Sequence, residues 1–328
     1  MPSRWAKAWF ATNNLMPAKM KPQPEISVVI PTRNRAHMLG DTVASARDAG
    51  SDAEIIVVDD ASSDDTAAIC AAMPGVIYLR QSERRGTAAA RNRGIAAASA
   101  DLVAFLDDDD LRMPGSFAPQ IAALKKAPEA AFTYARAFVG DSRQGLPTGD
   151  IIPQFIRSGD IFWALLEGNF VPCCTVVARR AALEKCGGFA ETISAMEDYD
   201  LWVRMAEDLP VIATKDIVSI YRSRGLGTDQ KTADRVAHGQ TRQALLDRML
   251  SAKRAMADAP RRRRARAKHA RGVYLSLVGD ALAAHADGGT GIAQAYLAQA
   301  RKTVKLPFRA WLFTLIFSNQ LQVLGARR

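Results

Sequence analysis

The chain has 328 residues, 48% of them hydrophobic and 24% charged, which is ordinary globular usage and excludes a disordered, collagen-like or polytopic membrane chain. Its net charge of +10 is unevenly placed, with a net +13 in residues 226–328 and a net −3 in residues 1–225. A mildly acidic body with a strongly basic tail implies an anionic partner or surface for the tail.

Residues 1–24, with Pro17, Pro22 and Pro24, read as a flexible lead-in without the apolar stretch of a secretory signal. Ile26–Ile30 (ISVVI) is a β-branched run stopped by Pro31, the pattern of a strand buried on both faces. Ala36–Asp48 carries Met38, Leu39 and Val43 at helical spacing, and Gly50 follows as a stop. Glu54–Val58 repeats the strand signal. Asp64–Ala72 reads as a helix with Asp64 or Asp65 available to cap it. Val76–Leu79 is a third strand, Gly86–Ser99 a third helix and Leu102–Leu106 a fourth strand. Such alternation specifies a parallel sheet with helices on both faces. Beyond residue 110 the spacing predicts strands at Phe132–Val139, Thr175–Ala178, Val211–Ile212 and Ile217–Tyr221, and helices at Ala181–Lys185 and Asp198–Asp208. After Gly225 the composition turns to Ala, Arg, Gln and Leu, a helical tail interrupted at Pro260. Four cysteines with no C-x-x-C spacing, and four histidines, argue against a disulfide scaffold or structural zinc and for a reducing compartment.

In parallel α/β sheets, ligands bind beyond the carboxyl ends of strands. Asp59-Asp60 and Asp107-Asp108-Asp109-Asp110 both fall there. Four adjacent carboxylates repel one another unless solvated or bound to a cation, and hard ions such as Mg²⁺ or Mn²⁺ take such oxygens together with substrate phosphates. In an extended segment alternate residues point the same way, so Asp107 and Asp109 can share one ion. Arg84, Arg85 and Gly86 precede a helix whose N-terminus could receive phosphate. The alternative is an acidic, solvated loop. There is no P-loop and no G-x-G-x-x-G after the first strand, so neither a P-loop NTPase nor a typical dinucleotide oxidoreductase is indicated.

Five segments occur in a telling order: SVVIPTRNR (27–35), EIIVVDDASSDDT (54–66), GTAAARNRGIAAASADLVAFLDDDD (86–110), RRAALEKCGGFAE (179–191) and EDYDLWVRMA (197–206). Together they resemble the successive motifs of family 2 glycosyltransferases. The resemblance covers about residues 25–225. It implies a GT-A fold, a Rossmann-like α/β arrangement with a mainly parallel sheet, followed here by a C-terminal helical extension. It also implies roles. Pro31, Thr32 and Asn34 match the loop lining the nucleotide, and Asp59 and Asp60 the pair on base and ribose. Arg91 matches the arginine near the donor. Asp107 and Asp109 match the D-x-D ligands of Mg²⁺ or Mn²⁺ on the donor diphosphate, with Asp108 between them in the donor site. Asp198, in the Glu197-Asp198 pair, matches the catalytic base. Helix capping is the plainer reading of Glu197 and Asp198 taken alone. Arg224 stands where many members carry a His, and could pair with a phosphate directly. GGFAE at 187–191 replaces the usual GGFDE, a mild departure.

Asn169–Thr175 falls where members of that family often shape the acceptor pocket. Cys173 and Cys174 read as packing residues rather than nucleophiles. Phe162 and Trp163 read as core before sugar-stacking groups, and Trp202 is open between the two. In the tail, Arg261–Arg271 holds seven Arg/Lys in eleven residues, and residues 306–324 add an aromatic-rich apolar stretch too polar to span a bilayer. That pairing suits monotopic attachment to an anionic membrane. Its competitors are packing of the apolar helix on the catalytic domain and a solvated arginine face. The arginine run contains no aromatic residue, so no nucleic-acid partner is expected.

The reading is thus a lead-in (1–24), a GT-A catalytic domain (25–225) and a basic helical extension (226–328). The expected activity is inverting, metal-dependent transfer from a nucleotide-sugar, a UDP-sugar first, to a hydroxyl of a glycan or lipid-linked acceptor in polysaccharide assembly. The expected place is cytoplasmic, peripheral on the inner face of the cell membrane. A nucleotidyltransferase and a non-catalytic nucleotide-sugar-binding or scaffold protein are the rivals.

Overall fold

A computed structural model describes residues 23–50, 52–141, 147–222, 241, 244–286 and 289–303. The alternation over residues 26–106 folds as β1 (Ile26–Thr32), α1 (Ala36–Asp48), β2 (Ala53–Asp59), α2 (Thr66–Ala71), β3 (Val76–Arg80), α3 (Thr87–Ala97) and β4 (Leu102–Phe105). These four strands are parallel in the order β3-β2-β1-β4. Successive strand residues face opposite sides of the sheet. Val29, Ile56, Val58, Val103 and Phe105 therefore join one apolar layer with α3, and Val28, Ile30, Ile55, Val57 and Ala104 join the other with α1. That is why these strands read as unbroken hydrophobic runs.

The second half makes the sheet mixed. It comprises β5 (Leu111–Arg112), α4 (Phe117–Lys126), β6 (Phe132–Gly140), β7 (Pro147–Ile152), α5 (Phe162–Glu167), β8 (Val177–Arg179), α6 (Arg180–Lys185), α7 (Glu197–Asp208) and β9 (Val211–Arg222). Among the described residues the order is β3-β2-β1-β4-β8-β6-β9-β5, with β7 against β6. Two sequence expectations are corrected here. The two closing strands expected at 211–212 and 217–221 are one strand, Val211–Arg222. The polar Thr214-Lys215-Asp216 between them is taken up by a register irregularity, where Tyr134 pairs with Ala213 but Arg136 with Ile217. The strand expected at Thr175–Ala178 starts only at Val177, because Cys173–Thr175 is a 3₁₀ turn closed by Thr175 N–H donating to Pro172 O at 3.0 Å. The sequence pattern passed over α4, α5, β5 and β7. In α4, Pro119 sits in the first turn, where its missing N–H costs nothing.

Gly94 shows how tightly α3 is set on β1. A Cβ at this position would lie 2.3 Å from Val29 Cγ1 and 2.9 Å from Cγ2. Alanine would gain at most about 1 kcal/mol in helix propensity, whereas overpacking costs about 1–3 kcal/mol. Gly94→Ala is therefore expected to destabilise the protein, read as a lower urea midpoint. An unchanged midpoint would mean that α3 and β1 separate easily.

The tail is helical as expected, at residues 244–249, α8 (Lys253–Ala257), α9 (Ala259–Ala286) and α10 (Thr290–Thr303). The helices break at Asp258, two residues before Pro260 and close to the expected interruption, and Pro260 itself lies in the first turn of α9, where proline is well tolerated. The core does not stop at the expected boundary. Leu245, Leu246, Met249, Leu250, Ala255 and Ala265 belong to the same buried cluster as Phe105, Leu165 and Trp202. His269, buried on α9, stacks on Tyr199 of α7 and sets its Nδ1 3.2 Å from Leu166 O. Arg248 Nε donates to Asp200 of α7 at 2.7 Å. Beyond this contact α9 pairs with α10 through Val273, Leu277, Ala281, Ala284, Tyr296 and Leu297. Arg224 and the apolar stretch 306–324 lie outside the described residues. No helix among the described residues is long and apolar enough to cross a membrane.

Candidate active site

Parallel pairing brings the carboxyl ends of β1, β2 and β4 to one edge. Thr32 pairs with Asp59, and Val29 with Phe105, two residues before Asp107. Pro31 and Thr32 end β1, fully or almost fully buried. The loop that follows is tied down from two sides. Asn34 N–H donates to Ser62 Oγ at 3.0 Å, and Asn34 Oδ1 accepts from Ser63 N–H at 2.8 Å. Thr32 Oγ1 donates to Asp108 Oδ2 at 2.7 Å.

Asp59 and Asp60 part company at the end of β2. Asp59 is fully buried, and its carboxylate accepts from Ser62 N–H (2.8 Å), Tyr78 OH (2.6 Å) and Arg80 NH1 (2.9 Å). Asp60 accepts from Gln81 Nε2 (2.9 Å), Arg85 N–H (2.6 Å) and Gly86 N–H (2.9 Å). Asp60 thus ties down two peptide N–H groups just before α3, where a carboxylate complements the helix dipole.

Residues 107–110 are a turn, not the extended run assumed from sequence, with Asp110 N–H donating to Asp107 O at 3.0 Å. Strand alternation therefore does not govern how Asp107 and Asp109 point. Thr42 Oγ1 reaches both Asp108 O (3.0 Å) and Asp110 O (3.1 Å), and Arg222 N–H donates to Asp110 Oδ1 at 3.0 Å. Arg35 NH1 bridges Asp108 Oδ1 (2.7 Å) and Asp109 Oδ2 (2.9 Å). Burial, with Asp109 adding to it and Arg35 opposing it, pushes Asp108 up to about 6.

Arg91 joins the two halves of the site. Its NH2 pairs with Asp107 Oδ1 at 2.5 Å and its NH1 with Glu197 Oε1 at 2.9 Å. Its guanidinium lies 5.2 Å over the Phe189 ring. Burial opposes this charge, but Asp107, Glu197 and Asp198 hold it firmly protonated. Asp198 is half-buried in the first turn of α7, and Tyr199 N–H donates to its Oδ1 at 2.8 Å. Burial first, and then the Glu197 charge, pushes Asp198 up to about 6 against the pull of Arg91. Neither residue caps α7. The N-cap position is Met196, which makes no side-chain cap bond.

The three non-glycine residues with positive φ among the described residues are Asn34 (53°), Ala61 (57°) and Met196 (63°). Each adjoins a site segment, the placement expected where strain of about 1–3 kcal/mol is held for function. Asn92, one residue after Arg91, anchors the Gly187–Phe189 turn. Its Nδ2 donates to Phe189 O at 2.9 Å and its Oδ1 accepts from Phe189 N–H at 2.8 Å.

The thiols of Cys173 and Cys174 are pushed well up by burial, so both stay neutral and are poor nucleophiles. Phe162 and Trp202 are fully buried core residues, and Trp163 lies under the Arg261 guanidinium at 5.0 Å. Sequence reasoning missed Arg35, Thr42, Ser62 and Gln81 as parts of the site. Arg35 and Ser62 carried a signal, lying within the motif segments 27–35 and 54–66, whereas Thr42 and Gln81 lie in neither.

Asp107 and Asp109 fit a divalent ion by donor chemistry, being hard carboxylate oxygens two residues apart in one turn, paired with Arg91 and Arg35 respectively. Asp107 keeps 33% of its side-chain surface exposed. No group of three or more His, Cys, Asp or Glu side chains able to hold a metal occurs among the described residues. The protein would then supply two ligands and leave the remaining positions to phosphate and water, as is usual for Mg²⁺.

Comparison with known proteins yields a family match and several relatives. The model of the family described as glycosyl transferase family 2 matches residues 27–187. The succinoglycan biosynthesis protein ExoU of Rhizobium meliloti is 29% identical over 235 residues, which is 64% of this chain and 66% of that protein. The chain therefore spans just under two thirds of that relative's length. The Escherichia coli UDP-Glc:alpha-D-GlcNAc-diphosphoundecaprenol beta-1,3-glucosyltransferase WfgD is 28% identical over 187 residues, 56% of this chain and 70% of that one. Among solved structures, the mannosyltransferase PcManGT from Pyrobaculum calidifontis, in complex with GDP-Man and Mn²⁺, superposes with a TM-score of 0.53 at 18% identity. That match covers 98% of this chain and 92% of the other and establishes a shared fold.

Proposed function

The chain belongs to glycosyl transferase family 2 through residues 27–187, and on that premise we propose that it transfers a sugar from a nucleotide-sugar to an acceptor hydroxyl in polysaccharide assembly. The observation that carries this reading is the Arg91 bridge. One buried guanidinium holds Asp107, beyond β4 in the donor half, and Glu197, next to Asp198 on α7.

In this reading Pro31, Thr32, Asn34, Asp59 and Asp60 line the nucleotide, and Arg91, Asp107, Asp108 and Asp109 face the diphosphate, with Arg224 as a further phosphate partner. Asp107 and Asp109 would hold Mg²⁺ or Mn²⁺, which when bound offsets charge on the departing nucleoside diphosphate. Asp198 takes the proton of the acceptor hydroxyl as that oxygen attacks the anomeric carbon. The new C–O bond forms as the bond to the diphosphate breaks, on the opposite face, so the anomeric configuration inverts. The acceptor is proposed to be a lipid-linked glycan, the class named for the Escherichia coli relative, met at the inner face of the cell membrane. A UDP-sugar is the first donor to test.

The base assignment carries a pH signature. Asp198 must be ionised to accept a proton, and it stands at about 6 because burial and the Glu197 charge raise it. The kcat/KM profile should therefore fall as pH drops through about 6, not near 4. Glu197→Gln removes one of the raising charges and should move that limb to lower pH. A limb unmoved by Glu197→Gln would assign the titration to another group.

The activity itself is tested by incubating the protein with UDP- and GDP-sugars and a polyprenyl-diphosphate-linked glycan, then reading the new anomeric signal by NMR. A product of inverted configuration supports the reading. A retained configuration refutes direct displacement, and absence of transfer from every donor refutes the activity.

A further inference from the structure

The N-terminal half of α9 carries charge that the fold does not use. The helix holds seven Lys/Arg, all within residues 261–271, and a single acidic residue, Asp280. Three of the seven are engaged. Arg266 pairs with Asp247 at 2.7 Å, Lys268 with Glu167 at 2.6 Å, and Arg261 lies over Trp163. Arg262, Arg263, Arg264 and Arg271 have no ion-pair partner among the described residues. A recess of about 210 Å³ opens between Ala259, Arg262, Arg263 and Arg266.

The same helix exposes apolar groups in line with those charges. Leu275 is 56% and Leu282 46% exposed. Arg264, Arg271, Leu275 and Leu282 follow one another at steps of seven, four and seven residues, so they form one stripe along the helix. Ala265, His269, Val273, Leu277, Ala281 and Ala284 are buried on the other side. Two exposed leucines in register with unpaired arginines are costly in water and favourable where a helix lies in the boundary between lipid headgroups and acyl chains.

We infer that this stripe of α9 is a docking face for an anionic phospholipid surface, with the arginines on lipid phosphates and Leu275 and Leu282 against the acyl boundary. The inference deepens the membrane element of the proposed function: it keeps the arginines of 261–271 and takes Leu275 and Leu282, in place of the stretch 306–324, as their apolar partner. Charge complementarity selects an anionic partner. The leucines in the stripe, and the lack of aromatic residues among the arginines, select lipid over nucleic acid. α9 also packs against α5. That helix leads into the loop carrying Cys173, which feels the charges of Arg91, Asp107 and Asp198, so a docked α9 would set the acceptor side of the site near the lipid.

The test is co-sedimentation of the full chain with phosphatidylcholine vesicles, with and without phosphatidylglycerol. The wild type should bind only the anionic vesicles and be released by high salt. Each arginine near an anionic surface is worth about fivefold in affinity, so Arg264→Glu with Arg271→Glu should bind at least about 25-fold more weakly. Leu275→Gln with Leu282→Gln should weaken binding while leaving its salt dependence in place. All four positions are on the exposed face, and thermal melts report whether the variants fold. Equal binding to neutral vesicles, wild-type binding by the arginine variant, or binding to nucleic acid with none to vesicles overturns the inference. None of these readouts uses a nucleotide, so failure here is separable from failure of the transferase reading.

Discussion

Asp198→Asn is expected to lower turnover by about 10²–10⁴-fold while nucleotide binding and folding persist. Asparagine keeps the shape and can still accept the Tyr199 N–H bond that Asp198 Oδ1 receives at 2.8 Å. It cannot accept the acceptor's proton. Burial and the neighbouring Glu197 already disfavour the Asp198 charge in the folded protein, so a neutral residue there should leave the melting temperature unchanged or slightly raised. That combination separates a base from a structural carboxylate. If Asp198 only served α7 instead, the variant would keep its turnover, because asparagine serves a helix N-terminus about as well.

Arg91→Met is expected to cost about 3–5 kcal/mol of stability, the usual penalty for removing one partner of a buried ion pair. Glu197 keeps only 6% of its side-chain surface exposed and would lose its 2.9 Å partner. Asp107, at 33% exposure, can turn to water, so most of the cost should come from the Glu197 side. Methionine fills much of the space over Phe189, which restricts the effect largely to charge. A double-mutant cycle checks this directly. Glu197→Gln placed on Arg91→Met should recover part of the lost stability, because a neutral amide does not need the guanidinium. Strict additivity of the two changes would show that the pair is not coupled.

The parallel half of the sheet was legible because its strands are buried on both faces and its helices recur at regular intervals. Ile26–Thr32, Ala53–Asp59 and Leu102–Phe105 differ from their expected spans by one or two residues at most, and α1 not at all. The antiparallel half was harder to read. Leu111–Arg112 is too short to leave a period, and β7 is mostly exposed and polar. In β9 the register irregularity hides one strand behind what look like two. Within the site, the strand-end aspartates and Arg91 could be placed by position along the chain. Their partners could not, because Arg35 and Gln81 reach the carboxylates, and Thr42 the backbone carbonyls of Asp108 and Asp110, from elements distant along the chain. The tail was read correctly as helical, yet its first half proved part of the main core. Ala265 and His269 supply the buried face there, and the flanking arginines mask that face in any hydrophobic pattern.

The central claim is a metal-assisted nucleotide-sugar site at the strand ends, and calorimetric titration of UDP and GDP in Mn²⁺, Mg²⁺ or EDTA tests it most directly, on wild type and Asp109→Ala. The account predicts tight binding of one nucleotide with a divalent ion, loss of that binding in EDTA, and loss of the metal dependence in Asp109→Ala. Binding of neither nucleotide under any of these conditions, or binding equally strong in EDTA and unaffected by Asp109→Ala, would contradict it.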